Sequence, residues 1–377
     1  MPSSFEQGDL VRGISGWVAV ESPTHDAAGV NRAMDLVEAE AATAPVAGER
    51  VPGRDGLGDS LILRAGPGSG DPGILVLSHL DTVHPVGTLA RDLPIRQEGD
   101  RLYGPGVYDM KGGAYLAFQA FLRVAREGSA RRPVTFLFTS DEEIGSPTTR
   151  RLIEDLGRQA AAVLVTEPAR DGGRVVTARK GVGRFEVEIE GRPAHSGSRH
   201  PDGRSAIREA ALQITAIERL TDYGRGVTTS VGRISGGTAE NVIPQHCRFT
   251  VDLRVVSEAD GQEFERRLLG LQPHGPDVAV RVRGGMNRPP YERSPGIAAL
   301  FGQARALAAE LGLDLGEAAR TGGGSDGNFT AALGTPTLDG LGVDGDGAHT
   351  LQEHALVSSL VVRAELMVSL LRNLRDA

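Results

Sequence analysis

Cysteine is nearly absent from this chain: Cys247 is the only one in 377 residues. That excludes disulfides within the chain and zinc sites built on thiolates, and it suits a cytoplasmic protein. Cys247 itself stands in the strand-like run QHCRFTV and reads as a small buried hydrophobe, not a nucleophile. No apolar stretch reaches the roughly 18 residues that mark a membrane span. The opening MPSSFEQGDLVRGISGW lacks the basic-then-apolar order of a secretory leader. A basic excess is missing as well, and a net charge of -8 argues against nucleic acid as a partner. Nothing repeats at a fixed period, and no segment is of low complexity. TGGGSDGNF (321–329) has no Gly-Lys-Ser/Thr, so it is not a phosphate loop. What is present is ordinary soluble material, 40% hydrophobic and 24% charged, long enough for two domains.

The first half alternates short apolar strands with helices. Near-continuous apolar runs at 60–65, 73–78, 134–138 and 161–166 suit a sheet covered on both faces. Helical patterns fall at 112–127 and 147–157, with Ser146 expected as the N-cap of the second and Pro147 as its first residue. Such alternation predicts an α/β layer fold with a largely parallel sheet. Near Lys180 the pattern changes. FEVEIEG (185–191) alternates strictly, and strand patterns at 226–236, 246–256 and 277–285 enclose helical ones at 205–220 and 258–272. This β-α-β-β-α-β order predicts a ferredoxin-like α+β module. A helix expected to be fully covered (295–313) and a long final one (355–374) follow. Residues 181–288 therefore read as a small domain inserted into a larger one made of 1–180 and 289–377. No motif emerges from the first sixty residues.

The apolar strands end in a consistent way. The first runs into His79 and Asp81, the next into Asp141-Glu142-Glu143, and the last into Glu167. Three adjacent carboxylates repel one another and raise their own pKa values unless something positive lies beside them. Ligands in open α/β sheets bind beyond the carboxyl ends of the strands, so these side chains are expected to converge. Asp109 in GPGVYDMKGG (104–113) and His349 in GDGAHTLQEH (345–354) lie in loops that can reach the same crevice. Two imidazoles and several carboxylates, without cysteine, are the donors of first-row metal chemistry. Zinc is the default, with cobalt or manganese able to use the same atoms. The candidates outnumber the ligands of one tetrahedral ion, whereas two ions sharing a carboxylate would use them all. Singly these signals are weak, and their joint occurrence in order at strand ends carries the inference. The other histidines, including His25, His84, His200, His246 and His274, read as surface residues.

HLDTV (79–83), GPGVYDMKGG, SDEEIGS (140–146), TEP (166–168), GRPAHSG (191–197), GTAENVIP (237–244), DLR (252–254), GGGSDG (322–327) and GAH (347–349) together resemble the M20 metallopeptidases. The likeness is to the glutamate carboxypeptidase branch, with acetylornithine deacetylases and succinyl-diaminopimelate desuccinylases as cousins. The resemblance implies a dizinc catalytic domain with an inserted lid through which the chain forms a homodimer. It gives His79 and Glu167 to one zinc, Glu143 and His349 to the other, and Asp109 to both. Glu142 would be the general base that moves a proton from the attacking water to the leaving amine. Asp81 would accept the His79 imidazole N–H and fix its tautomer. His195 matches the histidine that reaches across the dimer to stabilise the oxyanion in the neighbouring subunit, and Asn241 matches an interface residue of related role. Arg254 matches the arginine that clamps the substrate carboxylate, which its planar fork suits. Gly323 matches a loop whose backbone touches substrate. Arg174 falls where glutamate-selective relatives keep a basic residue, allowing a one-residue gap.

Two activities share these motifs. One is release of a C-terminal amino acid from a small peptide or conjugate, and the other is deacylation of an N-acyl amino acid. A catalytically silent binding protein would have lost a ligand or the base, and here all five ligands and Glu142 stand. A nucleotide-binding protein would leave the acids without a task.

Overall fold

The computed structural model describes residues 5–68 and 70–375, so the first four residues of the stretch read as free of a leader lie outside it. The chain divides into two compact units, one of Met1–Ala178, Arg293–Thr321 and Ser325–Ala377, the other of Arg179–Glu292 with Gly322–Gly324.

The first unit is built on a six-stranded sheet ordered Ala47–Val51, Ser60–Ala65, Val134–Thr139, Gly73–His79, Ala160–Val165, Thr337–Leu338. The first two pairings are antiparallel and the other three parallel. Its central strands bury both faces, as their unbroken apolar runs require. The helix Gly112–Glu127 packs an almost wholly apolar surface against the sheet and against the helix Val357–Asn373. Helices Gln7–Val18 and Ala27–Ala41 join the same core through Ile14, Trp17, Val30 and Met34. The helix Pro295–Glu310 buries only a stripe, Ile297, Leu300, Phe301, Ala304 and Ala308. The expectation that it is covered all round is therefore corrected. A second small sheet joins Gly345–Asp346, His354–Leu356, Arg101–Tyr103 and Arg96–Glu98.

The expected start of the helix after the acidic triplet also shifts. It spans Arg150–Gly157, preceded by Thr149, and Ser146 is not its cap. Ser146 has φ +56 and its hydroxyl donates to the Asp326 carboxylate. Asp141 accepts from the Thr148 N–H at 2.7 Å and from the hydroxyls of Thr148 and Thr149. Side-chain bonds hold this stretch in a turn where the local sequence rule foresees helix.

The second unit is a four-stranded antiparallel sheet ordered Ala279–Arg288, Gly181–Glu190, His246–Val255, Thr228–Gly236, with helices Ala206–Glu218 and Glu258–Leu269. The chain order β-α-β-β-α-β and this strand order make it ferredoxin-like. Phe185, Val187, Ile189, Phe249, Val251 and Leu253 alternate inward, and Cys247 lies among them, 3% exposed. Among the described residues no helix is long and apolar enough to cross a membrane.

Candidate metal centre

Three neighbouring parallel strands of the first unit deliver their chemistry at one edge. Gly73–His79 ends in His79 itself, Val134–Thr139 feeds the acidic triplet, and Ala160–Val165 leads to Glu167. Asp109 arrives from the irregular segment ahead of the helix Gly112–Glu127, where the Asp109–Met110 peptide is cis. His349 comes from the turn before His354–Leu356, at φ +65.

These side chains assemble into two trios, His79–Asp109–Glu167 and Asp109–Glu143–His349, each with donor atoms within 4.8 Å of one another. Asp109 belongs to both and divides its oxygens between them. Its Oδ1 is 3.3 Å from His79 Nε2, and its Oδ2 is 3.4 Å from His349 Nε2. His79 Nε2 is 3.7 Å from Glu167 Oε1, and His349 Nε2 is 3.2 Å from Glu143 Oε2. Two ligands each about 2.0–2.2 Å from a tetrahedral ion stand about 3.3–3.6 Å apart, so these separations fit the edges of such a polyhedron. Two atoms in the cluster, His79 Nε2 and Glu143 Oε1, are buried and make no hydrogen bond. Buried polar atoms are normally satisfied, and a dication would satisfy both. The donor set and these orphaned atoms therefore fit a pair of metal ions.

The electrostatics agree. Burial alone would raise the Asp109 carboxyl, yet the two imidazoles hold it well below the usual carboxylate range. Burial works against a charged His79, but Asp109 and Asp81 outweigh it and push that imidazole well above its ordinary value. Hydrogen bonds to Asp109 and Glu143 push His349 up to about 10. Burial raises Glu143, and His349 offsets part of this.

The carboxylates of the acidic triplet have separate surroundings. Asp141, wholly buried, is consumed by Thr148 and Thr149. Glu143 belongs to the second trio, and Glu142 Oε2 stands 4.0 Å from His79 Nε2. Asp81 departs from the sequence expectation. His79 Nδ1 lies 2.9 Å from the main-chain carbonyl of Asp81 and 3.5 Å from its carboxylate, so the carbonyl is the acceptor that orients the ring. The Asp81 carboxylate instead accepts the N–H groups of Glu142 and Glu143, each at 3.2 Å, and the Thr24 hydroxyl at 2.7 Å. It aims the turn that carries both glutamates.

His84 corrects another expectation. It is buried, not at the surface, because its Nε2 meets Glu353 at 2.6 Å. Glu353 and Asp326 lie inside the quoted stretches GDGAHTLQEH and GGGSDG, but motif reading gave neither a role, since their partners are far away in sequence. The nearest signal is that Glu353 stands four residues after His349 in HTLQE.

In the second unit, His195 is exposed and its Nδ1 accepts the N–H groups of Gly197 and Ser198 at 3.1 and 3.2 Å. The proton of a neutral ring is thereby fixed on Nε2. Asn241 is adjacent, its carbonyl accepting the Ser196 N–H at 3.0 Å. Arg254 is gripped by Asp252 through Nε (2.7 Å) and Nη2 (2.9 Å), and its Nη1 donates to the Gly322 carbonyl at 3.2 Å. Five guanidinium donors less these three leave two for a ligand. The Gly323 carbonyl accepts from the buried Arg179 at 3.2 Å. Arg174, in the first unit, is turned to the Glu317 carbonyl at 3.3 Å.

Comparison with known proteins identifies relatives of the whole chain. The family model described as peptidase family M20/M25/M40 matches residues 75–373. Carboxypeptidase G2 of Pseudomonas sp. (strain RS-16) is 30% identical over 380 residues, covering 98% of this chain and 90% of the relative. Acetylornithine deacetylase of Myxococcus xanthus is 35% identical over 217 residues, covering 54% of each. The Bacillus subtilis YXEP protein, described as a dinuclear metal binding peptidase of the M20 family, superposes with a TM-score of 0.68 at 16% identity, covering 97% of both chains.

Proposed function

The chain belongs to peptidase family M20/M25/M40 and is a metal-dependent hydrolase, and from that premise we propose that it is a carboxypeptidase releasing a C-terminal amino acid, of glutamate type, from a small peptide or conjugate. The single observation that carries the reading is the pair of trios sharing Asp109, with Glu142 beside them. His79, Asp109 and Glu167 would hold one ion, and Asp109, Glu143 and His349 the other. Zinc suits the nitrogen and oxygen donors, with cobalt or manganese as substitutes. When bound, such ions bring the pKa of water toward neutrality and polarise a carbonyl.

The protein's own groups do the rest. The Glu142 carboxylate takes the proton of the attacking water and delivers it to the departing amine nitrogen, as a general base that turns acid. The Nε2–H of His195 is the donor offered to the oxyanion, from the neighbouring subunit of a homodimer formed through the inserted unit. Arg254, held by Asp252 along one edge, presents its two remaining donors to the substrate carboxylate, while Asn241, the Gly323 backbone and Arg174 complete substrate recognition. The lone buried Cys247 supports a cytoplasmic location.

The deciding experiment is a hydrolysis panel of N-acyl-glutamate, α- and γ-glutamyl conjugates, acetylornithine and succinyl-diaminopimelate, with and without a strong chelator. Chelator-sensitive release of glutamate is the expected result. Turnover confined to the acyl diamino acids would move the chain to the deacylases, a second reading favoured by the 35% identity to acetylornithine deacetylase.

Metal binding should expel protons. His349, pushed up to about 10, carries a proton at neutral pH in the metal-free chain, and a ligand nitrogen must be neutral. Its pairing stabilises the metal-free fold fully below the ordinary value of 6.5, and this contribution fades as pH rises through about 10. Metal affinity accordingly strengthens as pH climbs over the same window. Calorimetric titration in buffers of different ionisation heat measures this directly, and heats independent of buffer would contradict it.

The trans role of His195 has its own test. Mixing a His195→Ala chain with a Glu142→Gln chain, each nearly inactive, should restore activity through hybrid dimers that hold one intact site. A fully active monomer, or no recovery despite proven mixing, would remove that role.

A further inference from the structure

One buried carboxylate of the first unit has no part in the chemistry above. Glu353 is 1% exposed and accepts from four donors at once. Its Oε1 takes the N–H groups of Tyr108 (3.0 Å) and Asp109 (2.9 Å). Its Oε2 takes the N–H of Gly106 (2.9 Å) and meets His84 Nε2 at 2.6 Å. We propose that Glu353 is a positioning residue for the shared ligand Asp109, and that metal affinity at both trios depends on it. The inference rests on the reading of those trios as metal sites.

The argument begins with the backbone. Residues 106–111 form an irregular segment, and Asp109 and Met110 depart from helical φ/ψ within it. Buried N–H groups outside helix and sheet need acceptors from elsewhere. An ionised carboxylate is acceptor-only, with about four lone-pair sites. Here one carboxylate fills them with three main-chain donors and an imidazole. Because the Asp109 N–H is itself held, the direction in which its side chain leaves the backbone is set by Glu353. That direction matters more for Asp109 than for any other ligand, since its two oxygens face different trios.

Glu353 also belongs to the turn that carries His349. The Thr350 N–H donates to the Gly347 carbonyl at 3.0 Å, and the Glu353 N–H to the Thr350 carbonyl at 3.3 Å. One short segment thus provides a ligand of the second trio and the brace for the ligand common to both. A shift at either end is transmitted to the other through the carboxylate. His84 Nε2, 2.6 Å from Oε2, completes the shell of the same carboxylate. Outer groups of this kind typically govern 10–100-fold in metal affinity.

The test uses the full-length chain stripped of metal and titrated with zinc, and separately with cobalt, against a competing chelator. Glu353→Gln places an NH2 against N–H donors and is expected to weaken both sites about 10–100-fold, and to alter the visible spectrum of the cobalt-loaded protein. The matched control is Glu21→Gln. Glu21 likewise accepts main-chain N–H groups, those of Gly87 and Leu89 at 2.8–2.9 Å, but its loop bears no ligand. Both variants should melt earlier when metal-free, and only Glu353→Gln should lose metal affinity. Equal affinity in Glu353→Gln and wild type overturns the proposal, as does an equal loss in the control. Wild type that binds no divalent ion would instead remove the metal reading itself. If Glu353→Gln does not fold, His84→Ala decides, because it deletes one donor and spares the main-chain bonds. A several-fold loss supports the assignment, and unchanged affinity overturns it.

Discussion

Glu142→Gln is expected to lower turnover by about 10²–10⁴-fold while leaving metal stoichiometry and substrate affinity close to wild type. Glutamine keeps the length and shape of glutamate and loses only the capacity to take a proton. The side chain stands 4.0 Å from His79 Nε2, near the ligands without being part of either trio. Its main-chain N–H is pinned by Asp81, so the substitution leaves the turn itself braced. The neighbouring Glu143 belongs to the second trio, and Glu143→Gln should therefore show the opposite pattern, with metal lost first and activity lost as a consequence. Steady-state kinetics with metal analysis on the same samples separates the two. A Glu142→Gln enzyme within tenfold of wild-type kcat would show that the proton is handled by another group.

Asp109→Ala should have the other large effect, because it takes one ligand from each trio at once. Loss of a ligand confined to one ion leaves the second site intact, whereas here both fall to two side chains. Turnover should fall to background, and the stabilisation that added metal gives wild type should collapse. A ligand at a hundred times its Kd stabilises a fold by about 2.7 kcal/mol, so the missing shift in Tm is readily measured. Asp109→Asn is the more informative partner, since it retains one carbonyl oxygen and can serve a single trio. Metal titration should then show unequal sites. Two equivalents bound to Asp109→Ala with wild-type affinity would end the shared-carboxylate reading.

The parts of the architecture that sequence displays are those written in local patterns. Unbroken apolar runs mark the central strands because a sheet covered on both faces selects apolar residues at every position. The inserted unit shows itself when strict alternation begins in FEVEIEG, the mark of a strand wet on one side. The residues of the two trios were legible for a related reason: each ends a strand or interrupts a loop where charge has no packing role. What stayed hidden is written across long distances. The strands of the small sheet are two or three residues long, too short for any period to emerge, and its two local pairings are joined only through Arg101–Tyr103 and His354–Leu356, far apart in the chain. Ser146 has the composition of a cap, and Asp326 diverts it. His84 looks solvated until Glu353, 269 residues later, supplies its partner. The helix Gln7–Val18 does space Leu10, Ile14, Trp17 and Val18 at helical intervals, but it carries no chemistry for a motif to flag.

The two ends of the inserted unit are stitched to each other: the Arg179 N–H donates to the Tyr291 carbonyl at 3.0 Å, and the Tyr291 N–H returns the bond at 3.1 Å. During synthesis this orders events. When the ribosome has passed Glu292, every strand and helix of the insert exists, while the surrounding unit still lacks the edge strand Thr337–Leu338 and the covering helix Val357–Asn373. Domains fold as units as they emerge, so the middle of this chain is due to mature before its beginning. Four of the five residues of the two trios then wait, attached to an unfinished sheet, for His349.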